Sequence, residues 1–134
     1  MKILENISFN KTNFNRLKKK LLFLFLSFSF SVGCLFAQTS KGIASFYGNK
    51  FSGRRTSSGE KYHPDSLTAA HKTLAFGTMV KVTNSKNGKS TKVKINDRLP
   101  KKSKRIIDLS KKAAKEIDMI RNGIIAVELE VVGQ

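Results

Sequence analysis

Four side chains of this 134-residue chain have the types and settings that proton-transfer chemistry uses: Asp97 in NDRLP, Glu60 in SSGEKY, His71 in TAAHK and Asp108 in IIDLS. Carboxylates and imidazole give or take protons near neutral pH once their surroundings tune them. Asp97 comes first. Thr91, Val93 and Ile95 alternate with Lys92 and Lys94, the period-two pattern of a half-buried strand, and Pro100 cannot continue a ladder. The acid therefore stands at a strand end, where a rigid scaffold presents reactive groups. A turn-capping role fits the same residues equally well. Arg98 beside it works against a proton donor, because a neighbouring cation lowers a carboxyl pKa. Either Arg98 points away, or burial and a second carboxylate such as Glu60 lift the value again.

The other three have plainer readings beside the chemical ones. Glu60 follows Gly59 at the close of a polar loop and is either a turn residue or a second acid. His71 ends a run of small residues; its imidazole either joins the proton work or is satisfied by backbone. Asp108 is assigned mainly to structure, as a cap at the start of the following helix, a position that Ser110 also suits. Glu60, His63 and His71 lack the tight spacing of a metal site, so neither a metal nor another cofactor is expected.

The elements that position these groups are short. Alternation or β-forming composition predicts strands over 42–47 (GIASFY), 67–71 (LTAAH), 79–83 (MVKVT), 91–97 and 125–131. Residues 48–59 form a glycine-punctuated loop carrying Arg54, Arg55 and Thr56. Asn87-Gly88 between two alternating runs is a hairpin signal. Leu109, Ala113 and Ile117 at i, i+4, i+8 predict one helix that stops near Asn122-Gly123. Several short strands and one helix in under 100 residues point to a small barrel, because closure removes exposed edges.

Residues 1–37 stand apart. Lys11, Arg16, Lys18, Lys19 and Lys20 precede an uncharged apolar run over 21–32, too short for a membrane span of about 20 residues. This is the pattern of an export signal, with cleavage expected after Ala37 and a single domain over 38–134. The rival is a lipid-modified Cys34 at the new N-terminus, the one route by which a membrane becomes a partner. Cleavage after Ala37 removes the sole cysteine, so no disulfide staples the fold. Residues 38–134 hold 20 Lys+Arg against 8 Asp+Glu, a net charge of +12. No nucleic-acid motif accompanies that charge, so nucleic acid is not expected; an exported basic domain meets anionic wall polymer or envelope surface instead.

GIASFYG, FSGRRTSSGEKY, LTAAHKTLAFGT, VKVTNSKNGKS, VKINDRLP and RIIDLSKKAA stand in the order and spacing of the rare lipoprotein A family, which the chain resembles over about 41–132. The resemblance implies a mainly β fold, a small six-stranded double-psi β-barrel with one helix; a monomer is expected. It implies an endolytic lytic transglycosylase in the periplasm or cell envelope, whose partner is the peptidoglycan glycan strand, often one stripped of stem peptides. Such an enzyme cuts the MurNAc-GlcNAc bond without water and leaves 1,6-anhydro-muramic ends. Asp97, His71 and Glu60 match the family's active-site positions, with Tyr47, Thr56 and Arg98 on the substrate side. One residue serves in this chemistry as acid and then as base. Leu99 stands where the family usually has glycine and Phe46 where it usually has tryptophan. Of Phe46 and Tyr47, adjacent on one strand, one must enter the core and the other is free to face a sugar. A non-catalytic wall-binding module using the same groove is the alternative.

Overall fold

The computed structural model describes residues 15–20 and 38–134. Residues 15–20 are an exposed helical stretch. The rest of the expected leader, the cleavage point at Ala37 and Cys34 lie outside the described residues. Among the described residues no helix is long and apolar enough to cross a membrane.

The C-terminal unit is a closed six-stranded barrel. Its elements are β1 (Thr39–Phe46), a 3-10 turn (Asn49–Phe51), β2 (Thr68–His71), β3 (Met79–Asn84), β4 (Ser90–Arg98), β5 (Ile107–Leu109), α1 (Lys111–Glu116) and β6 (Ile125–Gly133). Around the barrel the strands run β1-β5-β2-β4-β3-β6. β1 pairs with β5, and β2 with β4, in parallel; the other four pairings are antiparallel. The expected mainly β barrel with a helix is thus the observed fold. Alternation holds where it was clearest: Val80 and Val82 on β3, Val93 and Ile95 on β4, and Val127 and Leu129 on β6 all point into the core. Full burial of one such side chain contributes about 1.5–3 kcal/mol.

Three features depart from the sequence expectations. β5 is only three residues long, too short to show a period, yet it joins β1 to β2 and so closes the barrel. Second, α1 stops at Glu116 rather than near Gly123. Asp118 adopts a left-handed φ of 54°, Met119 N–H donates to the Ala114 carbonyl and Asp118 N–H to that of Lys115, the paired bonds of a Schellman stop. The Ile117 carbonyl left over at this end accepts from the side-chain amides of Asn84 (2.9 Å) and Asn87 (3.2 Å), so the β3–β4 hairpin closes the helix. Third, Ser110 alone caps the helix start, accepting from Ala113 N–H at 3.3 Å. Asp108 instead accepts from Ser45 Oγ at 2.5 Å and from the Arg105 fork at 2.8 and 3.1 Å, tying β5 to β1.

One irregularity matters for chemistry. Along β2, Ala69 faces Ile95 and the next residue, Ala70, faces Asp97, so Asn96 is an extra residue on β4. Strict alternation from Ile95 would send Asp97 into the core. The bulge re-aims it, as bulges near functional sites do.

Candidate active site

Asp97 stands at the end of β4, half-buried, with its carboxylate held by four donors. Tyr47 Oη donates to Oδ2 at 2.5 Å; Ser57 N–H (2.8 Å), Ser57 Oγ (2.7 Å) and Arg98 N–H (2.8 Å) donate to Oδ1. Burial pushes the carboxyl pKa up, but the donors from Tyr47, Ser57 and Arg98 favour the charged form more, and the net value falls below the ordinary aspartate range. Glu60 does not lift it as the sequence reading allowed. The Tyr47 hydroxyl moves far the other way, raised by burial and then by its bond to Asp97, and stays protonated.

The loop that delivers Ser57 is built by local bonds. Gly53 N–H donates to the Tyr62 carbonyl and Tyr62 N–H to that of Arg54, making a miniature hairpin. Gly59, at φ 90°, turns the chain at its tip, a conformation that a Cβ would strain. Thr56 N–H and Oγ1 both donate to the Glu60 carbonyl, and Ser58 N–H reaches the Asn96 carbonyl at 3.1 Å. The loop is thereby fastened to the bulge, which sets Ser57 against Asp97.

Tyr47, Phe51, Arg54, Arg55, Thr56, Tyr62 and Asp97 line an open cavity of about 370 Å³. Tyr47 packs at 4.7 Å on Tyr62 and edge-on at 5.7 Å against Phe51, measured between ring centroids. Of the adjacent pair on β1, Tyr47 therefore faces the cavity and Phe46 packs against the core. An aromatic wall beside a carboxylate suits a sugar ring, whose C–H faces pack on aromatics while its hydroxyls take hydrogen bonds.

The other expected site residues are placed as follows. Glu60 accepts from Lys94 Nζ at 2.9 Å and Asn96 Nδ2 at 3.1 Å, and these bonds, Lys94 first, hold its pKa below the ordinary value. Its carboxylate thus meets the residue before Asp97 rather than Asp97 itself. His71 pairs on β2 with Arg98 but lines a different cavity, of about 270 Å³, with Leu74 and Ile106. Its Nδ1 accepts from Thr73 and Leu74 N–H (3.2 and 3.1 Å), which puts the proton of the neutral ring on Nε2. Burial, then Arg98 and Lys72, lower its pKa. The backbone-satisfied reading of His71 therefore describes one of its nitrogens and leaves the other free for chemistry. Arg98 points its guanidinium away from the carboxylate, over the Phe76 ring at 4.0 Å and onto the His71 carbonyl at 3.3 Å. Leu99 is 5% exposed, a packing residue of the barrel. Among the described residues no three His, Cys, Asp or Glu side chains come together as a metal site.

Ser57, Phe51 and Tyr62 are site residues that the sequence reading passed over. Their signal was faint: SSG marks a turn, and Tyr62 stood among turn-forming neighbours.

The lytic transglycolase family matches residues 39–129. The endolytic peptidoglycan transglycosylase RlpA of Campylobacter jejuni is 54% identical over 96 residues, 72% of this chain and 35% of that protein. The chain spans about a third of the length of such curated relatives. Two solved structures share the fold. The Streptomyces papain inhibitor aligns with a TM-score of 0.56 at 21% identity, over 71% of this chain and 94% of that one. An apo expansin of Clavibacter michiganensis aligns with a TM-score of 0.56 at 24% identity, over 71% and 50%. These likenesses bear on the fold alone, and identify the barrel as the double-psi type.

Proposed function

This chain belongs to the lytic transglycolase family, and we propose that its barrel, residues 38–134, is an endolytic peptidoglycan transglycosylase domain working outside the cytoplasm, in the cell envelope. Residues 1–37 are then the leader that exports it. The observation that carries the proposal is Asp97: a carboxylate at a bulged strand end, oriented by four donors, in the wall of an aromatic cavity.

The chemistry follows from that setting. Cleavage without water breaks the bond between C1 of the muramic sugar and O4 of the next sugar. O4 takes one proton, and the muramic 6-oxygen closes on C1 and gives up another. Proton count is therefore conserved across one residue that first donates and then accepts. Asp97 is that residue. In the empty cavity its donors keep it ionised; a sugar seated on Tyr47 and Tyr62 removes water from the open side and strengthens burial, the influence that already favours the neutral form. The neutral acid donates to O4, and the regenerated carboxylate, returned to its four donors, stabilises positive charge at C1 and accepts the 6-hydroxyl proton. Tyr47 and Ser57 hold it in line, and Thr56 braces the loop that carries Ser57. Glu60 acts through Asn96 to fix the bulge, and the His71 carbonyl takes the Arg98 guanidinium away from the Asp97 carboxylate.

The test is Asp97→Asn, nearly isosteric and unable to deliver a proton. Incubated with purified glycan strands, it should yield anhydro-muramic ends at least about 10²-fold more slowly than the native chain while still binding the strands. Native-rate cleavage by the variant would remove Asp97 from the role. Binding by the native chain with no anhydro ends would establish the wall-binding module in place of the enzyme.

A further inference from the structure

The connection from β4 to β5, residues 99–106, reads LPKKSKRI and carries four cations and no acid. Lys101, Lys102 and Lys104 are exposed, and among the described residues none of them has an ion-pair partner. Only Arg105 in this stretch is paired, its fork closed on Asp108. The backbone beneath the lysines is nevertheless held in shape. Leu99 is buried at one end, and at the other Ile106 packs against the core and donates its N–H to the Ile43 carbonyl at 2.8 Å. Between them Ser103 N–H closes a turn on the Pro100 carbonyl at 2.9 Å, and Arg105 N–H reaches Ser103 Oγ at 3.1 Å. Lys72, just beyond β2, donates from Nζ to the Ser103 carbonyl at 2.6 Å and adds a fourth ammonium to the same rim. The His71 carbonyl brings in a guanidinium, accepting from Leu99 N–H at 3.4 Å and from Arg98 Nη1 at 3.3 Å, and that guanidinium lies over Phe76, a ring left 43% exposed.

Nothing on the strands that meet here balances this charge. β2 carries no acid, Asp97 on β4 is filled by Tyr47, Ser57 and its neighbour's N–H, and Asp108 on β5 by Ser45 and Arg105. Like charges gathered in this way repel one another, so the fold gains nothing from them; an anionic partner does. The chemistry of the rim indicates which one. Lysine ammoniums are hydrated point charges on long stems rather than planar forks shaped for a single carboxylate, and several of them together are drawn to an extended sheet of phosphates. An exposed ring beside such a cluster has a place in a lipid headgroup layer that a soluble polyanion does not offer.

We propose that the β4–β5 connection, with Lys72 and Phe76, is a docking face for the phosphate surface of an anionic lipid bilayer. The inference is independent of the glycan reading and of Cys34: it gives the barrel a route to a membrane that needs no lipid anchor. Because Arg98 belongs to this rim and Asp97 precedes it on β4, docking would hold the catalytic strand end close to the bilayer.

The test uses the closed barrel, residues 38–134, which lacks cysteine, and vesicles of phosphatidylcholine alone or mixed equally with phosphatidylglycerol. Native protein should sediment with the mixed vesicles and not with the neutral ones. Each lysine at an anionic surface tightens binding about fivefold, so Lys101→Gln, Lys102→Gln and Lys104→Gln together should weaken it at least about tenfold. An equal loss of charge elsewhere, Lys86→Gln with Lys92→Gln and Lys112→Gln, all exposed and unpaired, should cost about threefold or less, since salt screens charges that do not touch the surface. The three loop lysines changed to Arg should bind as native, and Phe76→Ala should weaken vesicle binding. A polarity-sensitive dye on Lys102→Cys should shift to the blue on mixed vesicles, and the same dye on Lys92→Cys should not. Thermal melts confirm that each variant is folded. No binding to mixed vesicles, equal binding to neutral ones, equal losses from the two triple variants, or equal dye shifts overturns the proposal. Binding to sacculi that falls as far as vesicle binding in the loop variant, with Phe76→Ala silent in both, assigns the rim to wall polymer and overturns the lipid surface. The loop variant should still cleave soluble glycan strands within about twofold of native, because its lysines lie outside the Asp97 cavity. Loss of that cleavage in step with vesicle binding would put the lysines on the substrate path and overturn the proposal, whereas native protein that binds vesicles but cuts no glycan defeats the enzyme reading alone.

Discussion

Replacing Tyr47 with Phe removes one hydroxyl from the Asp97 carboxylate and keeps the ring that packs on Phe51 and Tyr62. A hydrogen bond to a charged acceptor contributes about 1.5–3 kcal/mol. Three other donors remain and the carboxylate is only half-buried, so water replaces part of the loss and the low end applies. About 1.4 kcal/mol is a tenfold change in proton affinity, or one pH unit. The direction is upward, because the hydroxyl favours the ionised form. If protonated Asp97 is the proton donor, kcat/KM falls as pH rises above its pKa, and in Tyr47→Phe that alkaline limb should move up by about one unit. The assay is release of anhydro-muramic ends from stripped strands across a pH series. A limb that stays in place or moves down refutes the assignment of Asp97 as the acid. Stability gives a second reading. The carboxyl value is lower in the folded than in the unfolded chain, so Asp97 stabilises the fold at neutral pH. That contribution is lost as pH falls from the ordinary aspartate range through the folded value. The gap in melting temperature between native and Tyr47→Phe protein should therefore narrow in acid; a gap that widens contradicts the linkage.

Leu99→Gly, which restores the residue usual in the family, should cost about 2–5 kcal/mol in chemical denaturation, because the leucine is buried and a cavity replaces it; a loss below about 1 kcal/mol would show that the barrel closes over the gap. Glu60→Gln should change stability by less than about 1 kcal/mol, since its bond to Lys94 is solvent-exposed, yet slow cleavage by loosening Asn96 at the bulge. Full activity in that variant and in His71→Ala would remove both from the site. Cosedimentation of residues 38–134 with anionic sacculi should weaken between 0.1 M and 1 M salt, as the screening length falls from about 10 Å to about 3 Å. Equal binding at both would assign the affinity to the cavity rather than to the +12 charge.

The elements that the sequence determined by itself are those whose signal is local. The pleat has period two, so β3, β4 and β6 announced themselves through alternating Val, Ile and Leu. Asn87-Gly88 marked the hairpin, and Gly88 takes a φ of 73° there. Pro100 ended the strand that carries Asp97, and the pairing of Phe46 with Tyr47 required that one face outward. Tertiary structure decided whatever depends on residues distant in the chain. Closure through β5 needs β1 and β2 on either side, and three residues have no period to read. The Ile117 carbonyl left over at the helix end is satisfied by the side chains of Asn84 and Asn87, some thirty residues earlier. Asp108 had a plausible local use as a cap, but barrel closure brings Ser45 to it, and a fixed partner across the sheet displaced the local one. The charge state of Asp97 belongs to the same class. Arg98, its neighbour in sequence, sends its guanidinium elsewhere, while Tyr47 and Ser57, 50 and 40 residues away, supply donors that outweigh burial. A carboxylate's proton affinity is set by atoms within a few ångströms, and only the closed barrel determines which atoms those are.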